Sequence, residues 1–384
     1  MNIKTLSEQS LNNAITQAVS IVKGNLKQFT YDSQFHSSEN NFYKACDNNL
    51  WTTGFWPGAI WLSYELTHDP IFKYAAQIQV QSFKHRIENL IEVEHHDMGF
   101  LYTPSCVSAW MLTKDEDAKK AALLAADQLC SRYQPVGEFI QAWGEKNAPD
   151  NYRYIIDCLM NVPLLYWAYD QTGDKNYLDI ALKHTETTYQ NSVREDGSTY
   201  HTFFMDMETG APSYGSACQG YKDDSTWARG QAWGIYGFAL AYRYTKDEKY
   251  LDVFERVLKV YLEFLPEDQI PYWDLTFTDG SSEPRDSSSA AITACGLLEM
   301  ADLVEEGKAK EYRAIACSMI QSLIDNYAVT DATQSNGLLL HGTYSKKSPY
   351  NTCTEEGVDE CVSWGDYFYL EALTRLTTNW NPYW

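Results

Sequence analysis

The sequence predicts an all-α fold, an (α/α)6 barrel of about twelve helices in a single domain over residues 1–384. Three observations carry that expectation. A punctuation mark recurs between helical runs, at Thr67-His68-Asp69-Pro70, Thr113-Lys114-Asp115-Glu116, Thr172-Gly173-Asp174-Lys175 and Thr245-Lys246-Asp247-Glu248. Nearly the same text follows two of the marks, Tyr177-Leu178-Asp179-Ile180-Ala181 and Tyr250-Leu251-Asp252-Val253-Phe254, with Phe72-Lys73-Tyr74-Ala75 a looser copy. The extra length of the chain falls between the hairpins, in inserts rich in Trp, Tyr, Asp, Ser and Gly such as Glu195 to Ser225 and Leu265 to Ser287.

Each mark starts a helix, because an Asp side chain can accept from the free N–H groups of the first turn, and Pro or an acidic residue suits the positions after it. Apolar periodicity then gives helices near 7–25, 57–67, 69–91, 104–113, 115–132, 153–172, 174–192, 226–245, 247–264, 288–305, 308–326 and 364–378. The fifth hairpin turns at Glu306-Gly307-Lys308. Five internal hairpins leave the first and last helix unpaired, and these complete a sixth pair if the chain closes on itself. An open solenoid also chains hairpins, but the spacing here is irregular, roughly 45 to 75 residues, unlike a fixed-length repeat.

The overall balance restricts partners. A net charge of -22 disfavours nucleic acid and anionic membrane, both of which need a basic footprint. The same charge repels an anionic sugar, so such a substrate would have to be drawn by a local basic pocket. The start of the chain, Met1-Asn2-Ile3-Lys4-Thr5, lacks the apolar run and small-residue cleavage site of a secretory leader. Nine cysteines without a C-x-x-C pair read as reduced thiols, which favours the cytoplasm. Twelve Trp and 28 Tyr exceed what a helical core needs and hint at carbohydrate stacking, although each ring taken singly is more simply core.

Nucleophile elbows, dinucleotide and phosphate loops and H-E-x-x-H are absent, and Glu92-x-x-His95 occurs once where a di-metal bundle needs it twice. No metal and no cofactor is therefore expected. Carboxylates, His, Arg and aromatics remain, which is the toolkit of glycoside chemistry. Asp157 stands out in a run from Tyr154 to Trp167 that reads as an inner helix apolar on nearly every side, where desolvation would raise its pKa. A buried Asp tied to a backbone N–H or to Arg153 explains it equally well. Asp97 sits in the polar cluster Glu94-His95-His96-Asp97 at a helix end, where a surface turn is the alternative. Further on, Ser225 can cap a helix that places Arg229 and Trp233 on one face, a good site for a carboxylate and a sugar ring. A core Arg paired to an internal Asp is the alternative there.

These segments, with Trp51-Thr52-Thr53-Gly54-Phe55-Trp56-Pro57-Gly58 and the stretch Trp364 to Ala372, resemble the unsaturated glucuronyl hydrolases, glycoside hydrolase family 88. The most specific combination is His95-His96-Asp97, then Tyr154-Ile155-Ile156-Asp157, then Trp227-Ala228-Arg229-Gly230-Gln231. The resemblance implies the (α/α)6 barrel already suggested by the hairpins, and hydration of the C4=C5 bond in a Δ4,5-unsaturated uronic acid at a non-reducing end. It also implies roles. Asp157 would be the general acid and base, and Asp97 the second essential carboxylate. Trp51, His96, Trp143, His201, Gln219, Arg229 and Trp233 would line the site, Arg229 and Gln219 holding the substrate carboxylate. The expected partner is an unsaturated uronic-acid oligosaccharide of glycosaminoglycan type, the protein a monomer or weak homodimer. Rhamnogalacturonan fragments are the nearest alternative substrate, a sugar 2-epimerase the more distant enzyme, and a helical scaffold or sugar-binding protein the non-enzyme. Thr343, Ser345, Lys346 and Lys347 could border the site and meet a sulfate, or form an exposed basic loop.

Overall fold

The computed structural model of the chain describes residues 3–377 and 379–384. Met1 and Asn2, read above as part of a leaderless start, and Thr378, the expected end of the last helix, lie outside the described residues.

Among the described residues the helices group into twelve rods. They are α1 (Glu8–Phe29), α2 (Phe55–Thr67), α3 (Pro70–Glu88) and α4, which runs through Met98–Tyr102, a π turn at Thr103–Val107 and Ser108–Thr113. Next come α5 (Glu116–Ser131), α6 (Cys158–Asn161, then Pro163–Thr172), α7 (Lys175–Ser192) and α8 (Ala228–Thr245). The last four are α9 (Glu248–Glu263), α10 (Ser287–Ala301), α11 (Glu306–Asn326) and α12 (Ser363–Thr377).

The even-numbered rods form the inner ring. Every residue of α10 is buried, as are the first fifteen of α8 and the first twelve of α12, so these helices are buried all round where outer ones bury a stripe. Each inner rod packs against the next, and α12 packs against α2, which closes the ring. Helix α1 lies against α11, α12 and α2, so the first and last helices make the sixth pair, and the (α/α)6 barrel is the observed fold.

The expected punctuation is now explicit. Asp69, Asp115, Asp174 and Asp247 each accept from a main-chain N–H in the first turn of an outer helix, at 3.1, 2.9, 2.9 and 3.2 Å. The residue before each Asp, His68, Lys114, Gly173 or Lys246, adopts a left-handed conformation that ends the inner helix. In three of the four, the preceding Thr hydroxyl accepts from the Asp N–H. Inner-to-outer turns are therefore short and lie at one end, and the long outer-to-inner connections gather at the other.

Those long connections carry all the described strands. Two-residue hairpins form at β1 (Ser33–Gln34) with β2 (Ala45–Cys46) and at β3 (Tyr133–Gln134) with β4 (Phe139–Ile140). The strands β5 (Arg153–Ile155), β6 (Thr202–Met205) and β7 (Pro212–Ser216) make an antiparallel sheet in that order, and β8 (Gly342–Ser345) pairs with β9 (Glu356–Glu360).

Three expectations need correction. The run 153–172 is not one helix: Tyr154 and Ile155 pair with Phe203 and Thr202, and β-branched and aromatic side chains favour that extended pairing. The helix starts only after Asp157 and is divided before Pro163, which has no N–H to give. The helix expected over 104–113 begins at Met98, so Asp97 opens an inner helix and does not close the preceding outer one. Ser225 does not cap α8; its hydroxyl bonds to Asp274 at 2.7 Å, and Trp227 occupies the cap position. Among the described residues no helix is long and apolar enough to cross a membrane.

Candidate active site

The end of the barrel that gathers the long connections opens into a cavity of about 440 Å³. Asp97 and Asp157 both line it, each directly before the first residue of an inner helix, and neither carboxyl caps its own helix. Gly99 lets the two helices approach this closely, since a Cβ there would lie 2.3 Å from the Asn161 Cα. Asn161 then clasps them: its Oδ1 accepts from the Phe100 N–H at 2.9 Å, and its Nδ2 reaches Asp97 Oδ1 at 3.4 Å and the Asp157 carbonyl at 3.3 Å.

The two carboxyls are driven apart in proton affinity. Burial pushes Asp157 up to about 6 against the attraction of His96 and Arg229, and the negative charge of Asp97 adds to the rise. Its Oδ1 is buried and makes no hydrogen bond in the structure. Burial alone would raise Asp97 too, but His96 Nε2 at 3.1 Å from Oδ1 and His95 Nδ1 at 3.1 Å from Oδ2 hold it well below the usual carboxylate range. One proton-holding and one ionised carboxyl in a single cavity is the arrangement acid–base catalysis needs.

His201 precedes β6 and faces Asp157, with Nε2 at 3.9 Å from Oδ1. Its Nδ1 accepts from the Gln219 N–H at 3.2 Å, which can only donate, so a neutral imidazole carries its proton on Nε2, toward Asp157. Burial first, then the charges of Arg229, Arg153 and His96, lower His201 to about 3, so the ring is neutral at physiological pH. Its ring also abuts Trp227 at 4.6 Å.

Trp51, Trp143, Gln219 and Arg229 also line the cavity. Trp51 stacks on Trp364 at 5.3 Å and donates to the Tyr344 hydroxyl at 3.1 Å. His96 is buried behind Asp97, and Trp233 lies beneath the cavity between Phe100 and Phe368, so neither is on the lining. The rings beside Arg229 are Trp227 and Trp364, at 4.4 and 4.9 Å, and not the Trp233 expected from the helical spacing. The Arg229 guanidinium is heavily engaged: NH1 meets Asp286 at 2.9 Å and the Thr343 carbonyl at 2.5 Å, and NH2 meets the Tyr344 carbonyl at 2.6 Å and Gln219 Oε1 at 3.4 Å. It is thus both a cavity residue and an arginine paired to an internal Asp.

The connection between α11 and α12 supplies Tyr344, Ser345, Cys353, Thr354 and Glu356. Of the four residues considered there for a sulfate, Ser345 alone lines the cavity. Thr343 is buried, Lys346 pairs with Glu355 at 2.8 Å, and Lys347 donates to the Asn351 carbonyl. Sequence reading missed Asn161, Asp286, Tyr344 and Glu356, and left His95 without a role. Only Asn161 carried a signal, as an amide at i+4 from Asp157 on an otherwise apolar helix.

The chain matches the model of Glycosyl Hydrolase Family 88 over residues 21–369. It is 46% identical over 381 residues to an unsaturated chondroitin disaccharide hydrolase of Streptococcus pyogenes serotype M1, covering 99% of this chain and 94% of that one. The crystal structure of an unsaturated glucuronyl hydrolase from Streptococcus agalactiae superposes with a TM-score of 0.95 at 45% identity, covering 99% of this chain and 95% of the other. A mutant of the S. agalactiae enzyme in complex with dGlcA-GalNAc6S superposes at 0.88, with 42% identity and coverage of 100% and 95%.

Proposed function

Because the chain belongs to glycosyl hydrolase family 88, we propose that its cavity releases a Δ4,5-unsaturated uronic acid from the non-reducing end of glycosaminoglycan-type disaccharides left by polysaccharide lyases. The observation that carries this reading is the pair of carboxyls with opposed proton affinities, Asp157 near 6 and Asp97 ionised, in one enclosed site.

The substrate is a vinyl ether, so the reaction adds water across C4=C5 and leaves the C1 bond to break afterwards. Asp157 gives its proton to C4, and positive charge develops on C5 and the ring oxygen. The Asp157 carboxylate then takes a proton from a water as that water attacks C5, which restores the acid. The resulting hemiketal opens at the ring oxygen, giving a C5 ketone and a C1 hemiacetal. Collapse of the hemiacetal frees the neighbouring sugar and leaves an open-chain keto-uronate. Asp97, fixed by His95, His96 and Asn161, receives ring hydroxyls and keeps Asp157 protonated by its charge. Trp51 and Trp143 offer flat apolar faces to the unsaturated ring.

We read the whole chain as one catalytic domain acting in the cytoplasm as a monomer or weak homodimer. Nine free thiols support the compartment.

The test is ultraviolet absorbance of the double bond during incubation with unsaturated chondroitin, hyaluronan, heparin and rhamnogalacturonan disaccharides. Absorbance should fall fastest with chondroitin or hyaluronan disaccharides, and no fall with any of the four would sink the proposal. The pH profile is a second expectation. Only protonated Asp157 can start the reaction, so kcat/KM should drop about tenfold per pH unit above a pKa of about 6. A profile flat from pH 5 to 8 would remove Asp157 as the acid.

A further inference from the structure

Of the nine thiols, Cys218 and Cys353 are the two, among the described residues, that line the cavity. They come from different connections. Cys218 follows β7, and Cys353 lies in the loop between β8 and β9. Both are part-exposed, whereas Cys106, Cys158, Cys295 and Cys361 are buried. Cys46, Cys130 and Cys317 are part-exposed too, but they sit on β2 and on the outer helices α5 and α11, away from the lining.

Hydrogen bonds between the two segments bring these thiols opposite each other. The Ser348 hydroxyl donates to the Tyr221 carbonyl at 2.6 Å, and Asn351 Nδ2 donates to the Gly220 carbonyl at 3.0 Å. As the first segment is followed backwards from 221 to 220, the second runs forwards from 348 to 351, so the two are antiparallel. Two more residues along each bring Cys218 opposite Cys353. Further contacts agree with that register. The Thr352 side chain hydrogen-bonds the Cys218 thiol, and the charge of Cys353 is felt at Cys218. Asn351 Nδ2 and the Cys353 thiol both donate to the Lys346 carbonyl, at 2.8 and 3.4 Å, which keeps that sulfur close to the bond between Asn351 and Gly220.

We propose that Cys218 and Cys353 form a modification site, a thiol pair that hydrogen peroxide converts to a disulfide across the cavity wall. The effect on turnover rests on the glycosidase reading above; the bond itself does not. One thiolate attacks a peroxide oxygen, the O–O bond breaks, and the departing hydroxide takes up the thiol proton as water, leaving a sulfenic acid. The second thiolate attacks that sulfur, the S–O bond breaks, and a second water leaves in the same way. Two thiols and one peroxide thus give one disulfide and two waters, both sulfurs oxidised and both peroxide oxygens reduced. Reducing conditions keep the thiols free.

The bond has leverage on the site. Gln219, next to Cys218, gives its N–H to His201 Nδ1 at 3.2 Å and receives Arg229 NH2 at 3.4 Å. Thr354, next to Cys353, lines the same cavity. Drawing the two sulfurs to about 2 Å moves these neighbours together and displaces the groups that hold His201 and Arg229.

The test treats the protein with hydrogen peroxide, blocks the remaining thiols and maps its peptides by mass spectrometry without reduction. A peptide pair joining Cys218 to Cys353, lighter by two hydrogens than its parts, is expected in wild type and absent from Cys218→Ser and Cys353→Ser. Turnover of an unsaturated chondroitin disaccharide by wild type should fall at least about tenfold on oxidation, the scale of a misplaced catalytic wall, and return with dithiothreitol. Each serine variant should keep whatever activity it had before peroxide. Absence of the crosslink in wild type, or either cysteine joined elsewhere, would overturn the proposal. So would a formed bond that leaves turnover unchanged, or an equal loss in the serine variants. If the bond forms but the reduced protein cleaves no disaccharide, the modification site stands and only the glycosidase reading fails.

Discussion

Asp157→Asn should lower kcat/KM on an unsaturated chondroitin disaccharide by at least about a thousandfold, because the amide matches the carboxyl in shape but neither gives a proton to C4 nor takes one from water. Binding should persist. The same substitution should stabilise the fold. Burial raises the Asp157 pKa from 3.8 to about 6, so the unfolded chain loses this proton before the folded one does. Stability is therefore lost as pH climbs from about 4 to about 6 and stays lost above, a penalty on the order of 3 kcal/mol that the neutral amide escapes. The variant should melt higher than wild type at pH 7 and show little difference at pH 3.5, by calorimetry or circular dichroism. A variant that is active, or destabilised at pH 7 with unchanged activity, would make Asp157 a structural residue.

How far the sequence shows this site depends on the kind of signal each residue emits. The barrel was readable because its hairpins repeat a local device, an Asp that caps the next helix after a left-handed turn, and local hydrogen bonding leaves its mark in adjacent residues. Asp157 was readable as a carboxylate in apolar surroundings, Asp97 only as the end of a polar cluster, and Arg229 through its helical spacing from Trp233. What could not be read is what long-range folding brings to them. Asp286 lies 57 positions from Arg229, and Thr343 lies 114 positions away, yet both bond to the same NH1. Helical spacing puts Trp233 on the face of Arg229, and the family resemblance implies that it lines the site. Depth decides otherwise: one turn further along an inner helix is one turn deeper into the barrel, where Phe100 and Phe368 enclose it. The break between β5 and α6 was missed because an apolar run of this length fits a buried strand or a buried helix equally well.

Arg229→Met should be the most damaging single change to stability near the site. The guanidinium and Asp286 are 1% and 0% exposed, 2.9 Å apart, and removing one partner leaves the other charged, buried and alone. Losses of about 3 to 5 kcal/mol are usual for a broken buried pair. Two main-chain carbonyls, of Thr343 and Tyr344, would lose their donor as well, which loosens the β8 strand that brings Tyr344 to the cavity. Arg229→Lys should fall between, since one ammonium cannot span Asp286 and both carbonyls in a plane. Stability and catalysis can then be separated. Arg229→Met with Asp286→Asn removes both charges and should recover much of the lost melting temperature. If the recovered double variant still shows a strongly raised KM, Arg229 holds the substrate carboxylate in addition to bracing the wall. If its KM returns to the wild-type value, Arg229 only braces the wall, and the carboxylate must be received by neutral donors such as Gln219 together with the His201 Nε2–H.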